Sequence, residues 1–99
     1  MRADIQNLFM GIHMLYFAHE KDLTVTDMQP ELEDLGYRVA EREVKQELER
    51  LTQGNFLTAH DDAYSITRTG IEEFKDIQAK LQVLSTGVLK PLKAAGATK

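Results

Sequence analysis

Ninety-nine residues with 42% hydrophobic and 28% charged side chains describe one small globular domain whose core is modest, so that burial against a second copy would help it. The absence of cysteine excludes disulfides, thiolate nucleophiles and cysteine-based metal sites. A formal net charge of −4 runs against the basic excess with which nucleic-acid modules neutralise phosphate, so any DNA-binding role requires the cations to gather on one face.

No run reaches the roughly 18 apolar residues of a membrane span, and the start Met1-Arg2-Ala3-Asp4-Ile5 does not read as a secretory signal. A cytoplasmic location, with no membrane partner, is expected. The first helix is predicted over 4–20. Ile5, Leu8, Phe9, Ile12, Leu15 and Tyr16 follow the i, i+3, i+4, i+7 spacing of a buried stripe. Met10, Met14 and Phe17 widen the apolar arc and are assigned to contact with a second copy. The alternative for these three is an adaptable, Met-rich groove for a small ligand.

Leu23-Thr24-Val25-Thr26 reads as a short first strand. Thr26 is the expected N-cap of a second helix over 27–35, with Gln29 completing a capping box. Pro30 would fall in its opening turn, Leu32 and Leu35 would face inward, and Gly36 would supply a left-handed C-cap. A short turn then leads into a third helix over 40–53. There Val44, Leu48 and Leu51 form the core stripe and Gly54 ends the helix. Glu41, Arg42, Lys45, Gln46 and Glu49 point outward, with Glu41–Lys45 and Glu47–Arg50 spaced for ion pairs along the helix.

Two strands, 56–59 and 63–67, flank Asp61-Asp62 as a hairpin, giving a wing over 56–67. Its tip carries two acids and no cation. The acids suit the turn itself and are unsuited to gripping phosphate. The last helix is predicted over 69–90, capped by Thr67 or Thr69. Phe74, Ile77, Leu81, Leu84 and Val88 recur along it at spacings of three and four, an a/d seam fit for pairing with another helix. Pro91 stops it, and 93–99 forms a disordered tail to a single domain spanning 1–92.

Chemistry is sparse. His13, His19 and His60 are dispersed and no two have the spacing of a helical metal pair. Glycines serve caps and turns, with no phosphate-cradling loop. No catalytic residue, metal site or cofactor is expected, and the chain does not read as an enzyme.

Residues 48–70 carry a family resemblance. Leu48, Leu51 and Gly54 close the third helix, Phe56-Leu57 open a strand, and Tyr64-Ser65-Ile66-Thr67-Arg68-Thr69-Gly70 follow the wing. This pattern resembles winged helix-turn-helix transcriptional regulators of the PadR type. The order of elements, with its long first helix, also resembles bacterial replication terminator proteins. Where PadR proteins usually place a tyrosine midway in the recognition helix, this chain has Val44-Lys45. The resemblance implies an α+β winged helix-turn-helix with a long C-terminal dimerisation helix, acting as a homodimeric DNA-binding transcriptional regulator. In that role Arg38, Arg42, Lys45 and Gln46 would read double-stranded DNA, with Arg68 and Lys21 as weaker phosphate contacts. The competing expectation is a winged helix that binds protein through its acidic third helix and wing.

Overall fold

The computed structural model describes residues 2–91; the tail 93–99 lies outside them. In chain order the elements are α1 (Ala3–Glu20), β1 (Leu23–Thr24), α2 (Val25–Asp34), α3 (Glu41–Gln53), β2 (Leu57–His60), β3 (Ala63–Ile66) and α4 (Arg68–Ser85). The three strands form one antiparallel sheet in the order β1-β3-β2. α2 and α3 make the helix-turn-helix, and β2 and β3 make the wing. No helix of the described residues is long and apolar enough to cross a membrane.

The core lies between the helices and the sheet. Met10, Met14, Leu15 and Ala18 of α1 meet Met28 and Leu32 of α2, Val44, Leu48 and Leu51 of α3, and Leu23, Leu57, Tyr64 and Phe74. The i, i+4, i+7 spacing of Val44, Leu48 and Leu51 accounts for how α3 sits, since it places all three on one stripe. Glu43 helps begin that helix by accepting the Ala40 N–H on Oε1 at 2.8 Å, half of a capping box.

α1 is rotated relative to its sequence reading. Of the expected stripe only Leu15 is buried. Ile5, Leu8, Phe9 and Tyr16 are exposed, Leu8 at 59%. Met10 and Met14 have no exposed surface at all, so they belong to the protein's own core and not to a face for a second copy. Phe17 packs half-buried against the same core. The reason is Gly11, which lets α1 approach α3 closely: a Cβ there would stand 2.8 Å from Glu47 Oε2. Glu47 is itself only 4% exposed, its two carboxylate oxygens accepting from Nε and Nη2 of Arg50. That pair was expected at the helix surface, and its carboxylate is instead sealed under α1.

α2 begins at Val25 and not at 27, because Thr24, not Thr26, is the N-cap. The Thr24 hydroxyl accepts the Asp27 N–H at 3.1 Å. Gln29, freed from the expected capping box, donates its Nε2 to the Val39 carbonyl at 3.1 Å and ties α2 to the segment entering α3. Pro30 therefore lies inside the helix, where it removes one backbone hydrogen bond. Leu35, expected inward, is exposed. Gly36 adopts φ +98°, the left-handed turn that ends α2. At the end of α3 the left-handed residue is Asn55, with φ 72°, and not Gly54.

The wing is a two-residue hairpin with His60 opposite Ala63, and Asp61 takes φ 57° at its tip, as an aspartate can. Of the two candidate caps for α4, Thr67 is used: its hydroxyl accepts the Gly70 N–H at 2.9 Å. α4 stops at Ser85, short of 90, in turns around Gly87. Val88 thus falls beyond the helix that was to carry it in the seam. Phe74 is buried, Ile77 is half-buried, and every residue from 78 to 91 is exposed.

Candidate nucleic-acid interface

The first turn of α3 faces the start of α2 across a groove of about 540 Å³, closed on its third side by the wing tip. Its lining brings together Thr24, Val25 and Thr26, then Glu41, Arg42 and Lys45, then Asp61, Asp62 and Tyr64. Core burial of Val44 and Leu48 fixes the rotation of α3, and this turns Glu41, Arg42 and Lys45 outward. Tyr64 forms part of the floor; burial raises its phenol pKa above the usual value, helped by the charge of Glu49.

Two of the predicted reading residues, Arg42 and Lys45, are therefore together in the groove. Gln46 is exposed on the same helix but lies outside that lining. Arg38 sits elsewhere, beside Glu33, Gly36, Tyr37 and Val39 at the helix-turn-helix corner. Arg68 is exposed at the start of α4, 3.9 Å from Glu72, and Lys21 is exposed at the end of α1. Neither joins the groove. Its two cations share the cavity with three carboxylates, Glu41, Asp61 and Asp62, so a phosphate entering there would meet repulsion as well as attraction.

The expected Glu41–Lys45 pair does not form: among the described residues no ion pair within 4.0 Å joins them. Pairing along an exposed helix yields only a few tenths of a kcal/mol, too little to hold two long side chains together. The charged heads of Glu41, Arg42 and Lys45 consequently stand apart in solvent.

Two features outside the groove were not legible in the sequence. His13 Nδ1 lies 2.9 Å from the Tyr37 hydroxyl, linking α1 to the turn that precedes α3, and burial raises the Tyr37 pKa. No sequence signal joins residues so far apart. The second is the exposed apolar row Ile5, Leu8, Phe9 and Tyr16 on α1. Gly11 and Ala18 were the available signal, since small residues mark the side of a helix on which another backbone comes close.

His60 Nε2 lies 2.5 Å from Ser65 Oγ and 3.5 Å from Asp22 Oδ2. Both partners meet the same ring nitrogen, so the three do not form a nucleophile–base–orienter relay. Among the described residues no group of three or more His, Cys, Asp or Glu side chains is placed to hold a metal ion.

No family model matches the chain, and no curated protein matches it in sequence. A solved structure of a transcriptional regulator from Clostridium thermocellum is similar over 94% of this chain and 99% of that one, with a TM-score of 0.77 at 17% identity. At that identity the likeness is one of fold, and the chain has the α+β winged-helix architecture of that regulator, long last helix included.

Proposed function

We propose that this chain is a DNA-binding transcriptional regulator of PadR type that works as a homodimer, without a cofactor. The observation that carries this reading is the fold match to a transcriptional regulator over nearly the whole of both chains, combined with Arg42 and Lys45 exposed at the leading end of α3. In helix-turn-helix proteins that end of the second helix meets base edges in the major groove. The role of the second copy follows from surface chemistry. Ile5, Leu8, Phe9 and Tyr16 on α1 and Leu81 and Leu84 on α4 are uncovered, and such an apolar area marks an association face. Leu81 and Leu84 keep the seam assigned to them on α4, with Ile77 half-buried at its edge, while Phe74 belongs to the protein's own core and α1 contributes its outer row in place of Met10 and Met14.

Binding of the purified protein to a pool of genomic fragments, from low to physiological salt, tests the reading. Retention of a few discrete fragments at physiological salt is expected. On a retained site, R42A should weaken binding by about 1–3 kcal/mol, the worth of one bidentate base contact. Unchanged affinity would remove Arg42 from the reading surface.

The acidity of the groove favours a second reading, a winged helix that docks a basic protein surface through Glu41, Asp61 and Asp62. Failure to retain any fragment at low salt is the result that selects it.

A further inference from the structure

We infer that Glu41 is a specificity-determining residue, accepting a hydrogen bond from the exocyclic amine of a cytosine, so that the preferred half-site places a cytosine next to the position read by Arg42. The inference rests on the DNA-binding reading above and deepens it.

Two glutamates open α3, and the structure gives them different tasks. Glu43 is committed to the helix start, where it accepts the Ala40 N–H. Glu41 makes no side-chain hydrogen bond and no ion pair among the described residues, is exposed, and lines the groove beside Arg42 and Lys45. The capping requirement is thus met without it. Its one remaining structural contribution is a favourable charge near the helix N-terminus, which a first-turn acid supplies in any orientation.

What such a carboxylate can bind is narrow. It is acceptor-only, so phosphate oxygens are excluded as partners, the more so with Asp61 and Asp62 lining the same groove. Duplex DNA offers donors in the major groove only as the N4 amine of cytosine and the N6 amine of adenine. Adenine's amine lies between two acceptors, its own N7 and the O4 of the paired thymine, whereas cytosine's is flanked by an acceptor on one side only, the O6 of the paired guanine, so a carboxylate meets less repulsion there. Carboxylate chemistry therefore selects cytosine. Arg42, the next residue, has the complementary preference, since its guanidinium matches the paired acceptors of guanine. Adjacent positions on α3 would thus read a G·C-rich step through one acceptor and one donor fork.

Selection from random duplexes by the full chain, followed by titration of single-base variants, tests this. The wild type is expected to select a site with a required cytosine, whose replacement by adenine weakens binding about fivefold or more. In E41Q the preference at that position should vanish or pass to adenine, because glutamine pairs bidentately with adenine N6 and N7. Preferences elsewhere in the site should persist. Circular dichroism of E41Q matching the wild type ensures that the comparison is between folded proteins. Retention of the full cytosine preference by E41Q, or a selected site without a cytosine requirement, overturns the inference while leaving DNA binding intact. Selection of no sequence by the wild type overturns both, and is recognisable as such.

Discussion

Replacing Gly70 by alanine should destabilise the protein severely, although alanine is the better helix residue. In an open helix the exchange favours folding by about 1 kcal/mol. At this position a Cβ would stand 2.2 Å from the Phe56 carbonyl oxygen and 2.8 Å from Ile66 Cγ1, where ordinary carbon–oxygen contact is about 3.3 Å. α4 must therefore retreat by roughly 1 Å from the base of the wing. The obstructing carbonyl is fixed, because it accepts the Thr67 N–H at 3.0 Å and the Thr67 hydroxyl at 3.1 Å. Overpacking costs about 1–3 kcal/mol, and loosening two hydrogen bonds adds about 1 kcal/mol each. After subtracting the helix preference the net loss is about 2–4 kcal/mol, or a melting temperature lower by about 10–30 °C for a domain of this length. Thermal and urea unfolding at matched protein concentration measure it. Gly87 provides the control: nothing lies within 4 Å of a Cβ there, so G87A should match or slightly exceed wild-type stability. A G70A protein melting at or above the wild type would refute the packing argument.

T67V keeps the shape of the cap but removes the acceptor for the Gly70 N–H and the donor to the Asn55 carbonyl at 2.6 Å; it should cost about 1–2 kcal/mol in urea unfolding. L84E places a charge on a residue already 43% exposed, so it should abolish self-association in sedimentation equilibrium without lowering the stability of the separated chains. A stable dimer of L84E would move the association face away from α4. Burial raises the pKa of Tyr37 and of Tyr64 above 10.0. The folded state thus holds these phenolic protons more tightly than the unfolded one, and the associated stability is complete below that value. It is lost as pH climbs through the raised folded-state values, so the urea midpoint should fall from about pH 10 upward, and fall less in Y64F. An alkaline limb identical in Y64F would discount the burial of Tyr64.

The order of elements was readable because α3 and the wing carry unambiguous local signals. Val44, Leu48 and Leu51 leave a single inward stripe on an otherwise charged helix, and Asp61-Asp62 sits between two β-rich runs. α1 offers no such contrast. It is apolar around most of its circumference, and periodicity alone cannot choose which side faces in. Contact with α3 chooses, through Gly11 and the buried Glu47 carboxylate that Arg50 holds. Glu47 shows the same limit from the other side, since a charged residue at a core position is read as exposed until its partner is located in space. For the candidate interface, the sequence placed Arg42 and Lys45 correctly on the outer face of α3. It could not separate them from Arg38, whose position depends on the left-handed turn at Gly36, nor bring the acids of the distant hairpin into their groove.

Thr24 occupies two elements at once. It is paired with Ala63 in the sheet and it caps α2, so strand passes into helix with no linker residue between them. Such a junction has no joint. Gln29 fastens the other side of the same unit by gripping the Val39 carbonyl, and Thr67 clamps the wing base to α4. The groove and the hairpin consequently travel together as one block. In the proposed homodimer, an effector that alters the spacing between two reading heads would then act by swivelling whole protomers about α1 and α4, and sequence changes that tune such a response would be sought along those two helices.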